Sequence, residues 1–307
     1  MTPSPATKKN VLSGIILAVV ATLVWSGNFV VARGIHNQIP PIALGFFRWI
    51  TASVLILPIG FRYLKKDFSL LLQSWKLVLI AAFTGISLFN TFIYIGAHYT
   101  SAINLALIGN TVSPVVSVFL AAIFLKEKIS WLKAAGIVFC LCGIFFLLMK
   151  GDIRNLMAMQ FSIGDGWMAL AALCFSVYTV AARQKPAAIS FLGFLTATFI
   201  AGAVMLSPFY IWESQHTTFE WNKNLLYVLL YLGLGTSIIS FFCWNYSIKQ
   251  IGAGRTALFG NLIPIFSSIE AVIFLNEPFT MVHLISMILV FAGLLLANVR
   301  VKKNTSL

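Results

Sequence analysis

The sequence predicts an all-α integral membrane protein of ten transmembrane helices, arranged as two inverted five-helix repeats. Three observations predict it. Apolar runs of roughly 20 residues recur along almost the whole chain, each long enough to cross a hydrocarbon core of about 30 Å as a helix. Of the 307 residues 60% are hydrophobic and 9% charged, too little polar surface to clothe a water-soluble globule, which excludes a soluble enzyme. The chain also matches itself at an offset of 150 residues: PVVSVFLAAIFLKE (Pro114 to Glu127) aligns with PIFSSIEAVIFLNE (Pro264 to Glu277), with seven of fourteen positions identical. The same offset pairs Ser26, Val30, Ala32 and Arg33 with Ser176, Val180, Ala182 and Arg183, and Gly143 with Gly293. Five spans per repeat is an odd number, so the second half enters the membrane from the opposite side.

Pro, Gly and charge clusters bound the spans. The polar opening MTPSPATKKN is a tail (1–10), and the first span, 11–32, is too long for a signal h-region and lacks a small-residue cleavage site. The second, 41–60, starts at Pro41 and stops before the basic FRYLKK; the third, 77–97, follows Trp75 and Lys76. The fourth, 102–125, is rich in Ser, Ala and Gly and carries Pro114; the fifth, 131–149, runs from Trp131 to Met149, closing the first repeat (11–149). After an outer linker (150–163), the second repeat (164–299) holds spans 164–183, 189–211, 225–248, 254–275 and 282–299, and 300–307 is a second tail.

The net charge of +13 sits in short loops rather than in a basic domain, so it marks topology and not nucleic-acid binding. With the N-terminus inside, 16 of the 21 Lys and Arg fall on the inner side, four on the outer side and one, Arg48, within a span. Both termini are therefore expected in the cytoplasm. Four cysteines lie in apolar runs at no metal-binding spacing, and His36, His98, His216 and His283 have no nucleophile or paired acid at a motif spacing. No Gly-rich phosphate loop follows a strand. No cofactor, metal site or ATP is implied.

Polarity at mid-depth marks the candidate site. Pro114 and Pro264 each remove a helical hydrogen bond and displace the carbonyl four residues earlier, on Asn110 and Gly260. Asn110 and Asn261 place amides beside these two helix breaks, where they either line a cavity between the halves or bond a neighbouring helix. Trp25 and Asn28, Tyr178 at the position equivalent to Asn28, and the equivalent pair Tyr94 and Trp244 form candidate aromatic and polar walls. Arg48 and Glu270 are the ionisable residues deep in the spans, both about 10 to 12 Å from the outer surface at about 1.5 Å per residue. Their repeat equivalents are Thr198 and Leu120, so the shared scaffold demands neither charge. Such residues pair or line a wet cavity. Glu270 is read as a protonatable coupling group or the anchor of a substrate amine, and Arg48 as its partner or a carboxylate anchor; the other reading is a static buried pair.

The stretches TSAINLALIGNTVSPVVSVFLAAIFLKEKISWLKAAGIVFCLCGIFFLL and GAGRTALFGNLIPIFSSIEAVIFLNEPFTMVHLISMILVFAGLLLA, with LVWSGNFVVAR and ALGFFRW, resemble the drug/metabolite transporter superfamily, EamA-type branch, over roughly residues 12 to 299. The resemblance implies a carrier of the bacterial cytoplasmic membrane that moves a small organic molecule through the lipid bilayer, with amino-acid export as the leading expectation and protons as the candidate coupling ion. Drug or polyamine efflux is the alternative within that class, and a non-transporting scaffold or lipid-handling enzyme the alternative outside it.

Overall fold

A computed structural model describes residues 8–124, 126, 129–152, 154 and 162–298. The tails and most of the 150–163 linker lie outside the described residues. Within them the chain is helical, with no strand. The helices are α1 (Lys8–Gly34), α2 (Pro41–Gln73), α3 (Trp75–Gly96), α4 (Ala102–Phe124), α5 (Trp131–Leu148), α6 (Ile163–Arg183), α7 (Phe191–Ser214), α8 (Lys223–Ile251), α9 in two pieces (Ala253–Phe259 and Leu262–Leu275) and α10 (Met281–Asn298). Nine of these are long and apolar enough to cross a membrane, and α10 is a shorter apolar helix.

One boundary differs markedly from the sequence expectation. α2 does not stop near residue 60 but continues to Gln73, 33 residues in all, because nothing after Pro58 breaks it. At about 1.5 Å per residue it outruns the hydrocarbon core, and its last turns carry Arg62, Lys65 and Lys66. The two proline positions also differ. α4 runs unbroken through Pro114, whereas α9 is interrupted at Gly260 and Asn261 and restarts two residues before Pro264. Side chains tie the α4 turn: Asn110 Nδ2 donates to the Ala106 carbonyl at 2.9 Å and Thr111 Oγ1 to Leu107 at 2.7 Å. Gly260, at the position equivalent to Asn110, has no side chain to make such a tie, and α9 breaks there while α4 continues.

The helix contacts obey the repeat. α1 packs on α8 and α9, as α6 packs on α3 and α4; α2 crosses its own counterpart α7, and α5 its counterpart α10. π-helical segments occur at Ala82–Leu88 within α3 and at Tyr231–Ile239 within α8, equivalent positions in the two halves. Among the described residues, contacts that join positions 150 apart, and so lie on the pseudo-twofold axis, include Trp49 with Phe199, ring centroids 4.8 Å apart, and Cys140 Sγ donating to the Val290 carbonyl at 3.7 Å. α5 and α10 meet through backbone. A Cβ on Gly136 would stand 2.5 Å from the Gly293 carbonyl oxygen, and one on Gly293 2.6 Å from that of Gly136, so small residues here set the helix separation.

Candidate functional site

α2 carries Arg48 to the middle of the first half, where 4% of its surface remains exposed. Its Nη1 donates to Asn28 Oδ1 at 2.7 Å on α1, and to Asn90 Oδ1 at 2.7 Å and Tyr94 Oη at 2.8 Å on α3. Nε donates to Ser237 Oγ at 3.0 Å, within the π-helical segment of α8. Tyr94 in turn donates to Asn28 Oδ1 at 3.3 Å. Every one of these acceptors is neutral. A guanidinium is held where burial is costly, its Nε and Nη1 engaged by neutral acceptors and its charge unanswered.

Glu270, on α9, is the complementary case. Its Oε1 lies 2.9 Å from Ser26 Oγ on α1, while Oε2 is buried and accepts no hydrogen bond from the protein. Arg48 and Glu270 do not pair with each other, contrary to the sequence reading of a buried pair. Nε and Nη1 of the guanidinium are taken up by its four neutral partners, and Tyr231 of α8 stands close to both charges. The Tyr231 hydroxyl donates to the Val24 carbonyl at 2.7 Å, and Gly27 makes room for it: a Cβ there would lie 2.2 Å from that hydroxyl and 3.6 Å from Glu270 Oε2. Glycine at position 27 is thus a spatial requirement of the site.

The other expected residues divide. Trp25 and Trp244 come together with ring centroids 5.2 Å apart, and Trp25 Nε1 donates to the Thr236 carbonyl at 3.0 Å. They wall the side of the site formed by α1 and α8, where Gly260 at the α9 break faces the Trp244 ring. Asn28 and Tyr94 belong to the Arg48 cluster. Asn261 is half-buried at the break, whereas the Asn110 amide is spent on its own helix. Tyr178 is not brought to the Arg48 cluster; it packs over Gly85 in the π-helical segment of α3 and against Phe175, ring centroids 5.6 Å apart. A cavity of about 200 Å³ lies elsewhere, among Pro114, Ser117, Lys133, Cys140 and Arg183, and does not reach Arg48 or Glu270.

Sequence reasoning gave no site role to Ser26, Gly27, Asn90, Tyr231 and Ser237. It also missed three carboxylates that tie one half to the other by capping helix starts. Glu213, in the last turn of α7, accepts from the backbone N–H of Ile42 at 3.1 Å and Ala43 at 2.6 Å, at the start of α2. Glu277 follows the left-handed Asn276 that ends α9, and accepts from the N–H of Ala102 at 2.8 Å and Ile103 at 3.2 Å, at the start of α4. Asp67, near the far end of α2, accepts from Ser190 N–H at 2.8 Å and from its hydroxyl, at the start of α7. Each acid satisfies N–H groups that a helix start leaves without partners.

Inverted halves that meet along helices of membrane-spanning length, around buried charges that no partner neutralises, are the build of a membrane transporter. The model of the EamA-like transporter family matches residues 12–149 and 162–299, and the chain belongs to that family, whose members here are transporters and not enzymes. It is similar to the uncharacterized transporter YyaM of Bacillus subtilis (strain 168), 28% identical over 82% of each chain. It is also similar to an uncharacterized transporter of Archaeoglobus fulgidus, 24% identical over 93% of this chain and 97% of the relative. A probable terminal-alkyne amino-acid exporter of Streptantibioticus cattleyicolor is 26% identical over 94% of this chain and 95% of its own. A solved crystal structure aligns with TM-score 0.64 at 20% identity, over 93% of this chain and 96% of that one, a likeness of fold.

Proposed function

We propose that the protein exports a small zwitterionic metabolite, an amino acid or a close analogue, across the cytoplasmic membrane by alternating access. One observation carries this reading: Arg48 is buried, Glu270 is half-buried with its Oε2 out of contact with any donor, and neither charge neutralises the other. An α-amino acid supplies both missing charges, a carboxylate toward Arg48 and an ammonium toward Glu270 Oε2, while Trp25 and Trp244 provide an apolar wall for its side chain. The amino-acid exporter among the relatives supports the same substrate class. A polyamine fits less well, since Arg48 repels cations and no second acid stands beside Glu270. The basic-residue bias supports cytoplasmic termini. The test is counterflow in proteoliposomes with labelled amino acids, polyamines and simple carboxylates as separate panels. The reading requires exchange of amino acids that Arg48→Met abolishes; exchange of polyamines alone overturns it.

A further inference from the structure

The cavity away from the Arg48 cluster is a cleft lined by one face of each of three helices. On α4 that face is Pro114, Ser117, Val118 and Ala121, at spacings of three and four. On α5 it is Lys133, Ile137 and Cys140, and α10 closes the third side at Leu294. From Ala121 to Pro114, and from Lys133 to Cys140, is seven residues, so the cleft runs about 10 Å along the helices. It starts at their inner ends and reaches toward mid-depth.

Its charge is all at one end. Lys133, in the first turn of α5, and Arg183, the last residue of α6, stand at the mouth, on the face that the basic-residue bias assigns to the cytoplasm. The described lining holds no acid. Lys133 gives its backbone N–H to Ser130 Oγ at 3.3 Å, while its ammonium has no acceptor among the described residues. Beyond the two cations the walls are apolar, apart from the Ser117 hydroxyl. Exposed Phe119 and Phe124 of α4 and Val138 and Phe139 of α5 flank these faces and continue the apolar surface.

The repeat shows that the shared scaffold does not demand this cleft. The equivalents of Pro114, Ser117, Lys133 and Arg183 are Pro264, Ser267, His283 and Arg33. Pro264 and Ser267 are buried, where Pro114 is exposed and Ser117 half-buried. His283 Nδ1 accepts from the Thr280 N–H at 3.0 Å, and Arg33 Nη1 donates to the Ala97 carbonyl at 2.7 Å. At the outer end the equivalent groups are covered or bonded to protein.

We propose that the inner cleft binds an anionic phospholipid, its phosphate between Lys133 and Arg183 and one acyl chain along α4, α5 and α10. Basic pockets between spans on the cytoplasmic side suit such head groups. The division of character selects the occupant. A free anion gains nothing from the apolar length, and a zwitterionic lipid brings an ammonium toward two cations. A drug-sized solute needs about 300 Å³ or more, against about 200 Å³ here. The second chain stays in the bilayer, against the exposed phenylalanines beside the cleft.

The test uses the purified full chain in a neutral detergent. Phosphatidylglycerol, phosphatidylcholine with the same chains, and inorganic phosphate are added separately. Melting temperature and the lipid retained in native mass spectrometry are read for each. Phosphatidylglycerol is expected to raise melting saturably and to be retained as one copy, and phosphatidylcholine to do neither. Lys133→Gln and Arg183→Gln should each weaken retention about fivefold, the worth of one basic residue near an anionic surface, while Lys133→Arg keeps it. Lys66→Gln, which removes an exposed lysine near the inner end of α2, should leave retention unchanged. Ala121→Met fills the cleft and leaves both charges in place; it is expected to lose retention and reads the site should a Gln variant misfold. Equal retention of the two lipids overturns the proposal, as do equal losses in Lys66→Gln and Lys133→Gln. Inorganic phosphate producing the same Lys133-dependent rise in melting also overturns it, in favour of a site for free anions.

Discussion

Arg48 Nη1 donates to Asn90 Oδ1 at 2.7 Å, a bond that fixes α2 against α3 inside the first half. Both residues are buried, so removing the amide strips a charged donor of an acceptor that water does not replace. Asn90→Ala is expected to cost about 1.5 to 3 kcal/mol of stability and to weaken transport through a displaced guanidinium. Thermal unfolding in detergent beside counterflow measures both. A variant with unchanged melting and unchanged rate would show that Arg48 does not depend on Asn90.

The two proline-flanking amides are expected to part company. Asn261→Leu, at the break in α9, should lower transport several-fold while leaving insertion intact. Asn110→Leu should do less, since that amide bonds its own Ala106 carbonyl. Initial rates at matched protein content in the membrane decide this, and equal losses in both variants would contradict it.

Close approach of α5 and α10 depends on glycine. Gly293→Leu places a Cβ 2.6 Å from the Gly136 carbonyl oxygen and 2.8 Å from the Cys140 backbone nitrogen, so the helices must separate. The expected loss is about 1 to 3 kcal/mol or more, as for overpacked sites, seen as a lower melting temperature. Ile239→Leu, on an exposed face of α8, should leave melting unchanged and serves as the control.

At the face that the charge bias assigns to the outside, the His36 and His98 rings meet edge to face at 5.3 Å, and Arg33 Nη1 donates to the Ala97 carbonyl at 2.7 Å. Burial, then His36, then Arg33, push His98 below its ordinary value of 6.5. The neutral ring is the favoured form. Its contribution is therefore complete above the unfolded value and is lost as pH falls through that value toward the folded one. Melting measured from about pH 8 down to about pH 5.5 should fall more steeply for the wild type than for His98→Gln.

Topology is tested with a reporter fused at Leu307. A cytoplasmic C-terminus follows from the basic bias and an even number of spans, and activity of an exclusively periplasmic reporter there would reverse the assignment.

The repeat was legible because the two halves kept identical residues at Pro114 and Pro264 and along FLKE and FLNE, and helix length follows from apolar run length. Arg48 and Glu270 stood out because charge is expensive at that depth. Their failure to pair was not legible. The four acceptors that occupy Arg48 come from α1, α3 and α8, and no spacing along one helix reveals such a set. The acids at positions 67, 213 and 277 lie at span ends, where an acid reads as ordinary surface; their targets are N–H groups more than a hundred residues away. The π-helical segments leave no mark in an apolar pattern, although they place Tyr231 and Ser237 at the site.

Trp49 against Phe199 and Cys140 against Val290 are places where each half touches its own image. If transport exchanges the shapes of the two halves, these four residues are fixed points of the exchange: each pair maps onto itself, and its separation is the same before and after. A cross-half contact off the axis, such as Glu277 on the start of α4, maps onto a different pair of residues and is free to differ between the two states. A covalent staple across the first kind of contact leaves the exchange of shapes possible, whereas a staple across a contact whose image is not made at the same time holds the protein in one state.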